Sequence, residues 1–205
     1  MNTIDSGSQE LAPIDLVRLG LKGLAGEYLP GMKRSDLADR TVDLQGLRQQ
    51  FDGIMAATIT EADRAGVAAT GGARTMAQYL AARTNIAPEA ARADLRVGRF
   101  ASSFEHIEQA MLDGRMSRQH AEVVRKLENI RVTYALLRDQ HLFVQWAQDF
   151  DWTTFKRLCK YWLEVNDQDG VSRSARTSLL APGGQNAHLS DARAFSPELA
   201  EEKRR

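Results

Sequence analysis

The stretch Thr75–Phe100, TMAQYLAARTNIAPEAARADLRVGRF, most constrains what this 205-residue chain can fold into. Small and apolar residues recur at helical spacing on both sides of Asn85, and asparagine is the best non-glycine residue for a turn with positive φ. Pro88 can open a second helix at its first position, where its missing N–H costs nothing. We expect Ile86 to be a buried plug between the two helices. This order of residues predicts a helix-turn-helix unit.

The second helix of this unit carries arginines that a helical spacing places on one outward stripe. Guanidinium groups on such a stripe can contact phosphates or guanine edges. An arginine stripe is also typical of a solvated face on a helical domain that never binds DNA, so spacing by itself leaves both interpretations open. The candidate nucleic-acid-binding residues are Arg92, Arg96 and Arg99, with Arg83 and Arg118 as additional contacts to the nucleic-acid backbone.

Composition limits the classes of function. The formal net charge is zero, so any affinity for DNA has to come from a local patch and should be modest and salt-sensitive. The single cysteine, Cys159, excludes an internal disulfide and a cysteine-based zinc cluster, and its apolar neighbours predict a packed core thiol. No apolar run reaches transmembrane length and the polar N-terminus is no secretory signal, so we expect a cytoplasmic protein without a membrane partner.

The chain divides into three parts. Residues 1–34 predict a partly disordered N-terminal segment in which Ile14–Tyr28 forms a weak helix at best, because its interior glycines disfavour helix. Ser35 is expected to cap a long helix that runs to about Ala65, where Gly66 ends it, and 67–74 is expected to be a loop. The helical domain occupies residues 35–170. Residues 171–205 predict a tail that is truncated, disordered or folded as a short hairpin.

Further helices follow the helix-turn-helix unit. They are predicted at Ser102–Leu112, after a cap at Ser117, at Thr133–Gln148, and at Trp152–Val165 after a cap at Asp151. The first two make a second unit of helix-turn-helix type. We therefore expect an all-α, multi-helix bundle that contains a helix-turn-helix-like unit and carries a short irregular or hairpin C-terminal tail.

Several motifs resemble those of a known family. A helix ends in ADRAG, a glycine-rich loop leads to TMAQYLAARTNIAPEAARADLRVGR, LDGRMSRQHAEVVRKL follows, and the closing helix ends in NDQDG. In these pieces the stretch from about Leu47 to Gly170 resembles the actinobacterial DUF222 domain, also called the 13E12 repeat family. Such domains typically lie N-terminal to an HNH endonuclease module, whose chemistry needs a histidine base and a divalent metal.

The sequence departs from the nuclease pattern. After residue 170 there is no Cys-x-x-Cys pair and no paired histidines, and His106, His120, His141 and His188 do not stand at a metal-ligand spacing. We expect no catalytic residues, no metal and no cofactor, as in a truncated, fragmentary or stand-alone leading domain of the family.

The resemblance implies a DNA-binding or targeting module. The alternative is a protein–protein interaction or oligomerisation domain whose partner is a nuclease module or a second copy of the chain. For that alternative the late aromatic residues Trp146, Trp152, Tyr161 and Trp162 are candidate contacts, wherever a pair of them is exposed.

Overall fold

The computed structural model describes residues 11–167, which form nine α-helices and no strand. The helices are α1 Pro13–Ala25, α2 Arg34–Arg64, α3 Val67–Thr70, α4 Met76–Thr84, α5 Pro88–Ala101, α6 Glu105–Leu112, α7 Arg118–Arg125, α8 Thr133–Asp149 and α9 Trp152–Asn166, with a 3₁₀ turn at Leu29–Gly31. The all-α, multi-helix fold class is confirmed. The predicted tail and His188 lie outside the described residues. Within them, no helix is long and apolar enough to cross a membrane.

Helix α5 is the centre of the fold, because it contacts α2, α4, α6 and α7. Its contact with α2 depends on Gly98. A Cβ at Gly98 would lie 2.2 Å from the Thr60 side chain and 2.4 Å from the Ala56 carbonyl oxygen. Gly53 of α2 fits against α6 in the same way, since a Cβ there would lie 2.2 Å from the Met111 carbonyl oxygen. The two glycines let the backbones approach where any side chain would separate them.

The hydrophobic core lies on the side of α5 that faces the C-terminal helices. Its largest fully buried side chains are Phe104, Ile107, Met111, Met116, Leu136, Phe143 and Phe155. A smaller cluster of Ile59, Ala68, Met76 and Leu95 joins α2, α3, α4 and α5. Side chains of α5, α6, α7, α8 and α9, with Ala56 of α2, therefore form the core of the domain body, and α4 is docked onto it through the smaller cluster.

The turn of the helix-turn-helix unit has the predicted geometry at two of its three positions. Asn85 has φ 56°, which is the left-handed conformation expected of it, and Pro88 stands at the start of α5. The prediction of a buried plug is wrong, because Ile86 is 39% exposed. Met76 and Leu95 already fill the space between α4 and α5, so Ile86 lies on the surface of the turn.

Of the three predicted helix caps, the structure confirms two and contradicts one. The Ser117 and Asp151 side chains accept hydrogen bonds from backbone N–H groups at the starts of α7 and α9, which confirms both caps. Ser35 is not a cap: α2 begins one residue earlier, and the Ser35 hydroxyl donates to the Asp36 carboxylate. The expected loop 67–74 contains the short helix α3, and α1 is helical throughout despite its glycines.

We expect Gly98→Ala to lower the free energy of unfolding by about 1–3 kcal/mol, because overpacking at a fixed backbone outweighs the gain in helix propensity. Urea unfolding followed by circular dichroism measures this change. Gly46→Ala in α2 is the matched control, since no atom lies within 4 Å of a Cβ there. Its expected effect is a stabilisation of up to about 1 kcal/mol. Equal effects at both positions would contradict the packing argument.

Candidate functional site

An apolar arm, residues 11–55, stands out from the rest of the surface. Helix α1 has no buried residue, and the buried residues of α2 begin only at Gly53. The large apolar side chains exposed on the arm are Leu11, Ile14, Leu16, Val17, Leu19, Leu21, Tyr28, Leu29, Val42, Leu44, Leu47, Phe51, Ile54 and Met55, each by 38–77%. Monomeric proteins rarely expose apolar surface on this scale.

The arm extends because α2 is longer than the core it covers. The turn at Gly114 lies against Gln50 and marks the edge of the domain body. The twelve residues of α2 before Gly46 continue roughly 18 Å beyond that edge at a rise of about 1.5 Å per residue. Between Arg34 and Arg48 no side chain is buried. The backbone hydrogen bonds of the helix therefore hold this part of α2 together without the burial of any side chain.

Helix α1 is tied to α2 near its C-terminal end. Arg40 forms an ion pair with Glu27 and donates a hydrogen bond of 3.0 Å to the Leu24 carbonyl oxygen. A groove of about 490 Å³ lies beside this contact. Its lining combines three carboxylates with apolar side chains: Asp36, Asp39 and Asp43, with Leu24, Leu44 and Leu47. The groove is continuous with the exposed apolar surface of α2.

The predicted arginine stripe is exposed on α5, as expected from the spacing, but acidic groups accompany it. Arg92 donates to Glu89 at 2.8 Å, and Arg99 donates to Asp63 at 2.6 Å. Arg118 Nε lies 2.6 Å from Asp94 Oδ1 in an ion pair that lacks the alignment of a hydrogen bond. Three of the five candidate residues thus carry a carboxylate partner, and their positive charge is locally balanced.

The other two candidates also have neighbours. The Arg83 guanidinium lies over the Tyr79 ring, 5.3 Å from its centroid. Arg96 is exposed near Glu122, whose pKa is lowered mainly by the hydrogen bond from Arg125 and to a smaller extent by the charge of Arg96. The structure therefore places the five arginines on the surface beside acidic or aromatic partners rather than in a purely basic patch.

One pair of side chains has the composition of a nucleophile and a base. Ser117 Oγ lies 2.7 Å from His120 Nδ1, but the same oxygen accepts the His120 backbone N–H at the start of α7. The imidazole packs edge-on against Trp152 and Phe155, with centroids 5.2 Å and 4.6 Å away, and burial lowers its pKa. The pair is a helix cap beside a packed ring, which serves the fold.

Two other side chains that could act as a nucleophile or a base, Cys159 and Asp139, are packed inside the body of the domain. Cys159 is buried, and burial raises the pKa of its thiol to about 12, so the prediction of a packed core thiol is confirmed. Asp139 is buried, where it accepts bonds from Arg138 and from the indole N–H of Trp162. Among residues 11–167 no group of three or more histidine, cysteine or acidic side chains could hold a metal ion.

Of the late aromatic residues, two reach the surface. Trp152 is 40% and Tyr161 39% exposed, whereas Trp162 is buried and Trp146 is packed against the core. The Lys156 ammonium lies over the Trp152 ring, 5.5 Å from its centroid. These residues add little apolar surface beside that of the arm.

Comparisons with models of protein families, with curated proteins and with solved structures give no match to this chain. The resemblance to the DUF222 domain stays a prediction that rests on the motifs.

The lowered pKa of His120 predicts a loss of stability as pH falls below about 6.5, because the unfolded chain binds a proton that the buried imidazole resists. His120→Asn removes this titration. We expect its free energy of unfolding to change less between about pH 7 and pH 5 than that of the unmodified chain, as measured by urea unfolding. His106→Asn, at an exposed position, is the control. Identical pH dependence in all three proteins would be inconsistent with a buried neutral imidazole.

Proposed function

We propose that this chain is a non-catalytic helical interaction module and that its apolar arm binds another protein. The observation that supports this is the arm itself. Its fourteen exposed large apolar side chains present on the order of 1,000 Å² of surface, enough for one side of a standard protein–protein interface. A buried core forms without the arm, so the arm is not required to complete the hydrophobic interior of the domain.

The energetics of α1 favour the same interpretation. It has 13 residues, includes two interior glycines and buries no side chain. Isolated helices of this length are marginal in water, and most helical stability comes from packing of an apolar face. A partner that covers Ile14, Val17 and Leu21 would supply that packing, at about 1.5–3 kcal/mol for each large apolar side chain that becomes fully buried.

The balance of charges on the arm indicates which class of partner it can bind. Residues 11–55 contain six basic and six acidic side chains, so the arm has no net charge. Nucleic acids and anionic membranes are bound by basic surfaces, and the arm is not one. An apolar surface with balanced charges suits the surface of another protein.

The family proposal is independent of the arm. We propose that residues 35–170 are a DUF222-like domain of an HNH-endonuclease-associated, cytoplasmic protein, and that this chain contributes binding rather than catalysis. The support is the order of the ADRAG, TMAQYLAART and LDGRMSRQHA motifs in the sequence.

Hydrogen exchange of the full chain tests the arm as an open surface. In solution dilute enough for sedimentation to show a monomer, we expect the amides of α1 to exchange at least about 100-fold faster than those of α5, because no buried contact opposes local opening. Helix α4 is the internal control: it is shorter than α1, but Met76 and Ala77 dock it onto the core. If α1 in the monomer is as protected as α4, the arm is covered by the chain itself and the proposal fails.

A second function, binding of duplex nucleic acid, is favoured by one specific observation. Asn85, in the left-handed conformation, joins α4 to the helix that begins at Pro88, and the Arg92 and Arg96 side chains on that helix are exposed. Exposed ion pairs such as Arg92–Glu89 contribute about 0–1 kcal/mol, so a phosphate could replace the carboxylate. The balanced charge of this face predicts weak binding.

Fluorescence anisotropy with labelled duplex DNA tests this second function. If Arg96 contacts a phosphate, Arg96→Ala should weaken binding at every salt concentration and reduce the slope of log affinity against log salt by about one. Arg64→Ala removes an exposed arginine of α2 that is paired with Glu61, and it is the matched control. An equal loss in both variants, or no loss in either, would remove Arg96 from a nucleic-acid site.

A further inference from the structure

The exposed side chains of α2 follow a pattern that is more specific than general apolarity. Leu44, Leu47, Phe51 and Ile54 are separated by three, four and three residues, and each is 38–56% exposed. In heptad notation Leu44 and Phe51 occupy a positions, and Leu47 and Ile54 occupy d positions. We call these four side chains the seam. This spacing gives a short apolar stripe of coiled-coil type over two heptads, which ends at Arg40, the preceding d position, and at Thr58, the following a position.

The seam lies on the face of α2 that points away from the domain. The core-facing residues of α2 are Gly53, Ala56, Ile59 and Thr60. At about 100° per residue, the centre of the seam is roughly 170° around the helix from that stripe. A helix that packed on the seam would therefore not collide with the body of the domain, which occupies the opposite side. At the N-terminal end of the seam it would meet α1, whose Leu24 lines the same groove as Leu44 and Leu47.

We propose that the partner on the seam is α2 of a second copy of this chain, in a parallel two-stranded coiled coil. This inference rests on the proposed function, since it names the protein that the arm binds. In an in-register pair of identical chains, each side chain of the seam meets the same side chain of the other copy, so apolar residues face apolar residues at all four positions. The same surface on both subunits is the rule for a two-fold symmetric dimer.

Charge complementarity selects the parallel orientation. Asp43 occupies a g position and Arg48 the e position of the following heptad. In a parallel, in-register pair these two positions face each other across the interface, so Asp43 of each copy meets Arg48 of the other, twice by symmetry. The parallel register sets Arg40, at the preceding d position, beside its own copy, and there the ion pair with Glu27 offsets its charge. An antiparallel pair centred between Leu47 and Phe51 would instead set Arg48 beside its own copy, which like charges disfavour.

The parallel arrangement also accounts for α1. Helix α1 is joined to the N-terminal end of the seam through the Arg40–Glu27 ion pair. In a parallel dimer both α1 helices come to the same end, where their apolar faces can cover each other. The arm as a whole offers on the order of 1,000 Å² per copy, against roughly 800 Å² per partner in a standard interface.

Sedimentation of the full chain tests the pairing. We expect a concentration-dependent dimer of twice the 22.8 kDa chain mass. Leu47→Glu should raise the dissociation constant at least about tenfold, because it places a charge at the centre of the seam. Val42→Glu is the matched control: Val42 is 71% exposed on the same helix at the f position, outside the seam. Equal weakening by the two variants would overturn the seam as the contact.

A cysteine at Leu44 tests the orientation. Because the natural Cys159 is buried and its thiol pKa is raised to about 12, the introduced thiol is the reactive one. Under mild oxidation Leu44→Cys should form a disulfide-linked dimer, since a positions face each other in a parallel pair, whereas Val42→Cys should not. A dimer that does not cross-link at position 44 overturns the parallel arrangement.

Alkylation of the same variants distinguishes failure of the self-pairing proposal from failure of the proposed function of the arm. If the chain is a monomer and Leu44→Cys reacts with iodoacetamide only as much more slowly than Val42→Cys as their exposures of 38% and 71% imply, self-pairing is overturned, while the arm is still an open surface for another protein. If the chain is a monomer and position 44 is protected far beyond that difference, the chain covers its own seam. That result overturns both the pairing and the proposed function.

Discussion

The contact of α5 with α2 at Gly98 is the one on which the rest of the structure depends. It fixes the angle and depth at which the central helix lies on the long helix, because the Ala56 carbonyl and the Thr60 side chain occupy the space of a Cβ. Helices α4, α6 and α7 then pack around α5. The apolar faces of α8 and α9 complete the core on the same side. A side chain at Gly98 would separate the two helices against which α4, α6 and α7 all pack.

The same contact explains the arm. Because α5 and α6 meet the C-terminal half of α2, the N-terminal half has nothing of the domain body to pack against, and its apolar residues face solvent together with those of α1. The protein thus has a self-sufficient core and a separate apolar surface on one continuous helix. That division is what distinguishes a surface kept for a partner from a core that is poorly packed.

The arginines of α5 show that charged residues spaced along one face of a helix do not by themselves make a basic surface. Their outward placement follows from spacing along one helix. Arg92 pairs with Glu89 on the same helix, whereas Asp63 of α2 approaches Arg99, and Asp94 of α5 balances Arg118 of α7. The electrostatic character of a face is a sum over all the elements that meet there, so neither an arginine stripe nor the zero net charge of the chain predicts it.

The sequence by itself determined the all-α class, most of the helices, the left-handed turn at Asn85, the caps at Ser117 and Asp151, and the packed thiol of Cys159. These follow from local chemistry: helical spacing of apolar residues, hydrogen bonds over three residues, and the low steric cost of asparagine at positive φ. Only the tertiary structure decided that Ile86 is exposed, that Arg99 and Arg118 are paired with carboxylates of other helices, and that the seam faces away from the core. Helical periodicity identifies an apolar face but not what covers it. Here α2 has one stripe of Gly53, Ala56, Ile59 and Thr60 and another of leucine, phenylalanine and isoleucine, and the close approach that the small residues of the first stripe allow placed the core there.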